Sequence, residues 1–398
     1  MQDKPAIEGG KPVRKKPLVF GKPFIEKKDI RAVVSTLESG WVGQGPKTEE
    51  FEKNFKEFIG SEYAVAVSSC TAGLHLSLLA VGCKAENEVI TSPLGFASTV
   101  NSIMHTQAKP VFADIDKETL NINPDLIGEK LTGKTKAILP VHFCGQPCEM
   151  KKILEIAEEK KVSVIEDAAH ATGSVYNQKK IGAMGALTCF SFAHNKIITT
   201  IEGGMITSND TSLVEKTRFL RQHGFGTSQW ERFRSKKHIA GEIIMPGFKY
   251  YMNDTQAAMG LEQLKSVEKI LSRKDKIAKI YTNAFKNNNF VGLQKHLQNT
   301  KHSNQFYPLV LQIEKLRIDR DRFVNALRKE NIFASTSFSA LHLNHFYRQE
   351  FGFQKGNFPN AEYASERIIS LPLNNDMEKG DAMDVVKAVE KLIDYYKK

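Results

Sequence analysis

The chain has 398 residues, of which 41% are hydrophobic and 25% charged, and its formal net charge is +11. That length suits two domains around a substantial core, and the composition is that of a globular protein rather than a disordered, collagenous or disulfide-dense one. No run approaches the roughly 20 apolar residues of a membrane helix, and the opening MQDKPAIEGGKPVRKKP lacks the apolar core of a signal peptide. The five cysteines, an odd number in a long chain, read as reduced thiols of a cytoplasmic protein. Lysines are scattered with no basic stripe interleaved with aromatics, so the positive charge suits a phosphorylated small molecule better than a nucleic acid.

From residue 60 to about 220, short β-branched runs alternate with amphipathic helical runs. The predicted strands are AVAVS (64–68), EVITS (88–92), PVFADI (110–115), KAILPV (136–141), VSVIED (162–167), LTCFSF (187–192) and GMITS (204–208). They are apolar nearly throughout, as strands buried on both faces must be. Between them, EMKKILEIAEEK puts Met150, Ile153, Leu154 and Ala157 on one helical face. Such alternation predicts an α/β fold with a mostly parallel sheet. After GFKYYMNDTQAAMGLEQL (247–264), one long helical run carries Leu264, Val267, Leu271, Ile280 and Phe285. A smaller α+β region follows, with FYPLVLQI (306–313), a helix around Phe323 and Leu327, and a C-terminal helix through Met383, Val386, Val389 and Ile393. The expected organisation is an N-terminal segment (1–30), a large domain (31–265) and a small C-terminal domain (266–398).

Three features at predicted strand ends carry chemistry. Asp167 ends VSVIED, where ligands gather in open α/β sheets. Lys196 follows LTCFSF by the short loop AHNK, and Ser68-Ser69-Cys70-Thr71-Ala72-Gly73 turns a strand into a helix through small residues. An amine for a Schiff base, an anion to keep a pyridine nitrogen protonated and a helix start for a phosphate are what a pyridoxal 5'-phosphate (PLP) enzyme must build.

SSCTAGLHLSLLAVG, EDAAHATGS, FSFAHNKIITTIEGGMITSND and GFKYYMNDTQAAMGLEQL resemble successive signatures of the DegT/StrS-type nucleotide-sugar aminotransferases. The likeness runs from GKPFIEKKDIRAVVSTLESGWVGQGP to SERIISLPL, nearly the whole chain. It implies a fold-type-I PLP-dependent transferase and a homodimer with shared active sites. The implied reaction moves an amino group from an amino acid, L-glutamate, to a nucleotide-linked keto-deoxysugar at carbon 4. Amination at carbon 3, a cyclitol ketone acceptor, a PLP-dependent sugar dehydratase and a catalytically silent relative remain alternatives.

Residue by residue, the resemblance implies that Lys196 carries the cofactor and moves the proton, and that Asp167 pairs with the pyridine nitrogen. His170 takes the position that contacts the ring hydroxyl, Phe96 the position that stacks on the ring. Thr71 and Ala72, with the hydroxyl of Ser191, hold the phosphate. Two positions depart from the family pattern: Ile197 stands where Asn is frequent, and Tyr251 where Asn or Arg is common. The cross-subunit phosphate contact then falls to Lys249 or Asn253.

Other signals are weaker. GWVGQG (40–45) follows no clear strand, so a dinucleotide loop is not expected. His142, Cys144 and Cys148 lack a second ligand pair, and no metal is expected. His342 and His345 fit binding or packing near a substrate mouth. Ser191 with His194 shows no sign of a hydrolase triad.

Overall fold

The computed structural model describes residues 3–398. Its centre is a seven-stranded sheet of β1 (Tyr63–Val67), β2 (Glu88–Thr91), β3 (Lys109–Phe112), β4 (Thr135–Leu139), β5 (Ser163–Asp167), β6 (Leu187–Ser191) and β7 (Gly204–Ser208). The spatial order is β1-β7-β6-β5-β4-β2-β3. Every neighbouring pair is parallel except the two made by β7, which runs against β1 and β6. All seven predicted strands form, each within a few residues of its expected bounds.

Both faces of this sheet are covered, which is why its strands are apolar without alternation. On one face Ala66, Ile138, Val164, Phe190 and Met205 pack with Phe51 and Phe55 of helix α1 (Pro46–Ile59). On the other, Val65, Leu139, Ile165, Cys189 and Ile206 meet Leu74, Leu76 and Leu78 of α2 (Cys70–Ala80). Helix α2 is buried nearly all round, as a helix between sheet and neighbouring helices should be.

The long helical run predicted after 247–264, from Leu264 through Phe285, is broken at Ser266, which separates α3 (Asp254–Lys265) from α4 (Val267–Phe285). Beyond it, β8 (Val291–Leu293), β9 (Tyr307–Leu311) and β10 (Ile368–Leu371) form an antiparallel sheet. Helices α4, α5 (Arg320–Lys329) and α6 (Lys379–Tyr396) close a second core with it. In α6 the buried stripe runs through Val385, Val386, Val389, Leu392 and Ile393, which turns Met383 outward at 49% exposure. Met383 is therefore not a core residue.

The N-terminal segment lies against this second core. Glu330, fully buried, accepts hydrogen bonds from the amides of Ala6 (2.7 Å) and Val13 (2.8 Å) and from Lys391 Nζ (3.2 Å). Leu18 pairs by backbone bonds with Asn331 and Phe333. The GWVGQG segment is structural: the amides of Gly45, Lys47 and Thr48 all donate to the carboxylate of Asp254, so an acid at the start of α3 caps the start of α1.

Candidate active site

β5 and β6 are parallel neighbours, with Asp167 opposite Cys189. Asp167 and Ser191 therefore end side by side at the carboxyl edge of the sheet. A cavity of about 330 Å³ opens there, and Thr71, Phe96, Asp167, His170, Ser191 and Lys196 all line it. Six positions spread over 125 residues of sequence thus meet in one place.

Asp167 is buried, and its two oxygens are held differently. Oδ2 accepts from the Thr99 hydroxyl at 2.6 Å, and Oδ1 from the Ala169 amide at 3.1 Å. A carboxylate with four lone-pair directions and two donors keeps acceptor capacity for a ligand. Lys196 follows β6 through a turn closed by its own amide on the Ala193 carbonyl (3.0 Å). Burial pulls its ammonium below the ordinary lysine range, while Cys70 and Asp167 favour the charged form. His170 is buried with its ring edge-on to Phe306 and Phe338. Burial, then the nearby Lys196, push its pKa well below the usual value, so the imidazole is neutral at neutral pH. Among the described residues its Nδ1 has no hydrogen-bond partner, an expensive state for a buried polar atom that a ligand would relieve.

At the other wall, α2 points its N-terminus at the cavity. Ser69 is the N-cap and its hydroxyl accepts from the Ala72 amide at 3.0 Å. The amides of Cys70 and Thr71 belong to the first turn and have no intrahelical acceptor. Of the predicted pair Thr71 and Ala72, it is thus Thr71, with Cys70 beside it, that has a backbone donor left for an anion. Gly204 explains how the helix start comes so close to β7: a Cβ there would lie 2.6 Å from the Ser69 carbonyl carbon and 2.7 Å from the Cys70 nitrogen. The EGG signature is in this respect a packing requirement. Phe96 caps the start of the helix Ala97–His105 and is 59% exposed at the cavity lip.

Lys249 and Asn253 do not line this cavity. Lys249 is exposed on a segment that runs past the end of β1, where Tyr251 pairs with Val67 and the Ser68 amide donates to the Tyr250 carbonyl. Asn253 caps α3, its Oδ1 taken by the Gln256 amide (2.9 Å).

His142 and His342, outside the cavity, are packing residues. His142 is fully buried between Glu166 (Nε2 to Oε2, 2.9 Å) and the Cys148 amide, which donates to Nδ1 at 3.0 Å. His342 is also fully buried, bonded to Glu362 at 2.9 Å and edge-on to Phe358, so it lies in the core rather than at a mouth; His345 is exposed on the helix His345–Phe351. A larger cleft of about 550 Å³ beside α1 is lined by charges of both signs, among them the ion pairs Arg221–Glu52 and Arg234–Glu49.

The profile of the DegT/DnrJ/EryC1/StrS aminotransferase family matches residues 23–390. The chain belongs to that family. It is 43% identical over 379 residues to the spore coat polysaccharide biosynthesis protein SpsC of Bacillus subtilis, covering 94% of this chain and 97% of that one. Its fold matches Helicobacter pylori PseC, an aminotransferase of pseudoaminic acid biosynthesis, with a TM-score of 0.88 at 28% identity, over 96% and 100% of the two chains. The PLP form of the sugar aminotransferase Spr1654 of Streptococcus pneumoniae matches with a TM-score of 0.87 at 26% identity, over 95% and 99%. The protein is a PLP-dependent sugar aminotransferase of fold type I. The cavity suits that cofactor: a carboxylate with spare acceptors, a buried amine, free first-turn amides and an unpartnered imidazole nitrogen stand around one space. No helix among the described residues is long and apolar enough to cross a membrane.

Among the lining residues that the sequence did not mark as site residues are Phe20, Thr99, Phe306 and Phe338. Thr99 sits three residues after Phe96, one turn along the same helix, which is the signal that could have found it. The phenylalanines carry no chemical mark in sequence.

Proposed function

We propose that this enzyme transfers an amino group from L-glutamate to the keto group of a nucleotide-linked deoxysugar, at carbon 4. The observation that carries the reading is the meeting of Lys196 and Asp167 in one cavity with the start of α2. When bound, PLP supplies an electron sink for the negative charge that develops at the substrate carbon. Asp167, steadied by Thr99, presents a fixed anion to the pyridine nitrogen. Neutral His170 offers Nδ1 to the ring oxygen. The Thr71 and Cys70 amides and the Ser191 hydroxyl hold the phosphate, helped by the positive end of the helix. Phe96 covers the ring face. Lys196, its pKa lowered by burial, would serve as the base that moves the proton at the substrate carbon. Retention of this lysine supports transamination over the dehydratase alternative.

We further propose a homodimer in which Lys249, ahead of Asn253, reaches the partner's phosphate, and a division into residues 1–30, 31–265 and 266–398. Exposure of Lys249 away from its own cavity supports the first of these. Borohydride reduction of the PLP-loaded protein, followed by peptide mapping, should place the label on Lys196; a label elsewhere overturns the assignment. The amine-loaded enzyme, offered 3-keto and 4-keto nucleotide sugars, should regain the aldehyde spectrum with the 4-keto compounds. Mixing Lys196→Ala with Lys249→Ala subunits should return activity towards half of wild type per dimer, and exchanged dimers that stay dead exclude the trans contact.

A further inference from the structure

Helix α4 carries a lysine in an unusual setting. Lys274 is 2% exposed, and among the described residues its ammonium contacts no carboxylate. Its two acceptors are backbone carbonyls, Leu373 at 2.5 Å and Gln305 at 3.2 Å. Burial pulls its pKa down to about 7. A buried amine without an anionic partner costs stability, so what it holds matters.

Both of its acceptors belong to segments that grip the loop of Lys196. Gln305 Nε2 donates to the carbonyl of Asn195 at 2.7 Å, and Asn375 Nδ2 to the carbonyl of Ile197 at 3.2 Å. The two carbonyls flanking Lys196 are thus each held by a side-chain amide from the C-terminal half. Tyr281, two turns along α4, fixes the same second segment through the Pro372 carbonyl at 2.7 Å. On the other side, Ser303 Oγ donates to the His170 carbonyl at 2.6 Å, and Phe306 stacks on Phe20 inside the cavity. The 303–306 segment therefore touches the loops of both His170 and Lys196.

We propose that Lys274 is a positioning residue: by tying the 303–306 and 372–375 segments to one amine, it sets the backbone on both sides of Lys196. This rests on Lys196 being the cofactor lysine.

The test compares wild type with Lys274→Met and Lys274→Arg, at a temperature where all are folded. Hydrogen exchange of the cofactor-free protein should speed up by roughly tenfold or more across 193–199 in Lys274→Met, with β5 unchanged. In the cofactor-loaded protein, the pH midpoint of the visible absorption band should move by about half a unit or more. Lys274→Arg, which keeps two donors, should restore much of both. If Lys274→Met does not fold, Lys274→Gln, whose shorter side chain cannot span both carbonyls, should loosen 193–199 alike. Lower thermal stability with wild-type exchange and midpoint would reduce Lys274 to a core tie and overturn the proposal. Borohydride mapping on each protein separates the readings: a label off Lys196 defeats the site assignment, whereas the exchange result concerns the loop alone.

Discussion

Glu166 and Asp167 are consecutive acids at the end of one strand, and they point to opposite faces of the sheet. Glu166 is fully buried and takes three protein partners. Its Oε1 accepts from the Thr188 hydroxyl (2.8 Å) and the Gly185 amide (2.9 Å), and its Oε2 meets His142. Asp167 faces the cavity with two donors and room for another. The difference shows how one peptide unit separates structure from function: a carboxylate whose partners are all protein groups locks strands together, and one with spare acceptors waits for a ligand.

That contrast can be broken or sharpened by substitution. The largest effect is expected for Asp167→Asn, which should keep the fold and bind PLP but lose roughly a hundredfold in half-reaction rate, about 3 kcal/mol of transition-state stabilisation. A rate near wild type in stopped-flow half-reactions would mean that another group serves the pyridine nitrogen. Glu166→Gln should do the reverse. Turning one acceptor oxygen into a donor leaves a buried group unpaired and should cost ~1–3 kcal/mol of folding stability, read as a lower denaturant midpoint, with turnover per folded molecule within about threefold. If turnover collapses instead, the two faces are not independent.

Thr99→Val should fall between them in kind. It removes a bond to a charged acceptor, worth about 1.5 kcal/mol, so the rate should drop roughly tenfold with little loss of stability. An unchanged rate would show that Asp167 is oriented by its backbone alone.

The smallest effect concerns pH. Lys274 titrates at about 7 in the folded chain and near 10.4 when unfolded, so the unfolded state binds more protons between these values. The penalty is full below pH 7 and is relieved as pH rises towards 10. Wild-type stability minus that of Lys274→Met should therefore increase from pH 7 to 9 in cofactor-free protein. A difference that stays flat would mean that the carbonyls of Gln305 and Leu373 hold the lysine charged throughout.

What could be read from residue order was whatever is encoded locally. Strands buried on both faces announce themselves by unbroken apolar runs, and all seven formed. Asp167, Lys196 and the small-residue turn before α2 stand at strand ends, where chemistry and position coincide within a few residues. The break at Ser266 and the outward turn of Met383 were not legible, because an apolar residue in a helical run does not say which neighbour will cover it. Nor were Thr99, Phe306 and Phe338, which a folded chain brings to Asp167 and His170 from as far as 168 positions away. The roles of His142, Asp254, Gln305, Asn375 and Lys274 depend on which carbonyl or amide lies opposite each side chain. A hydrogen bond is specific only over about 3 Å, and packing the two halves of the chain together is what brings such groups within that distance.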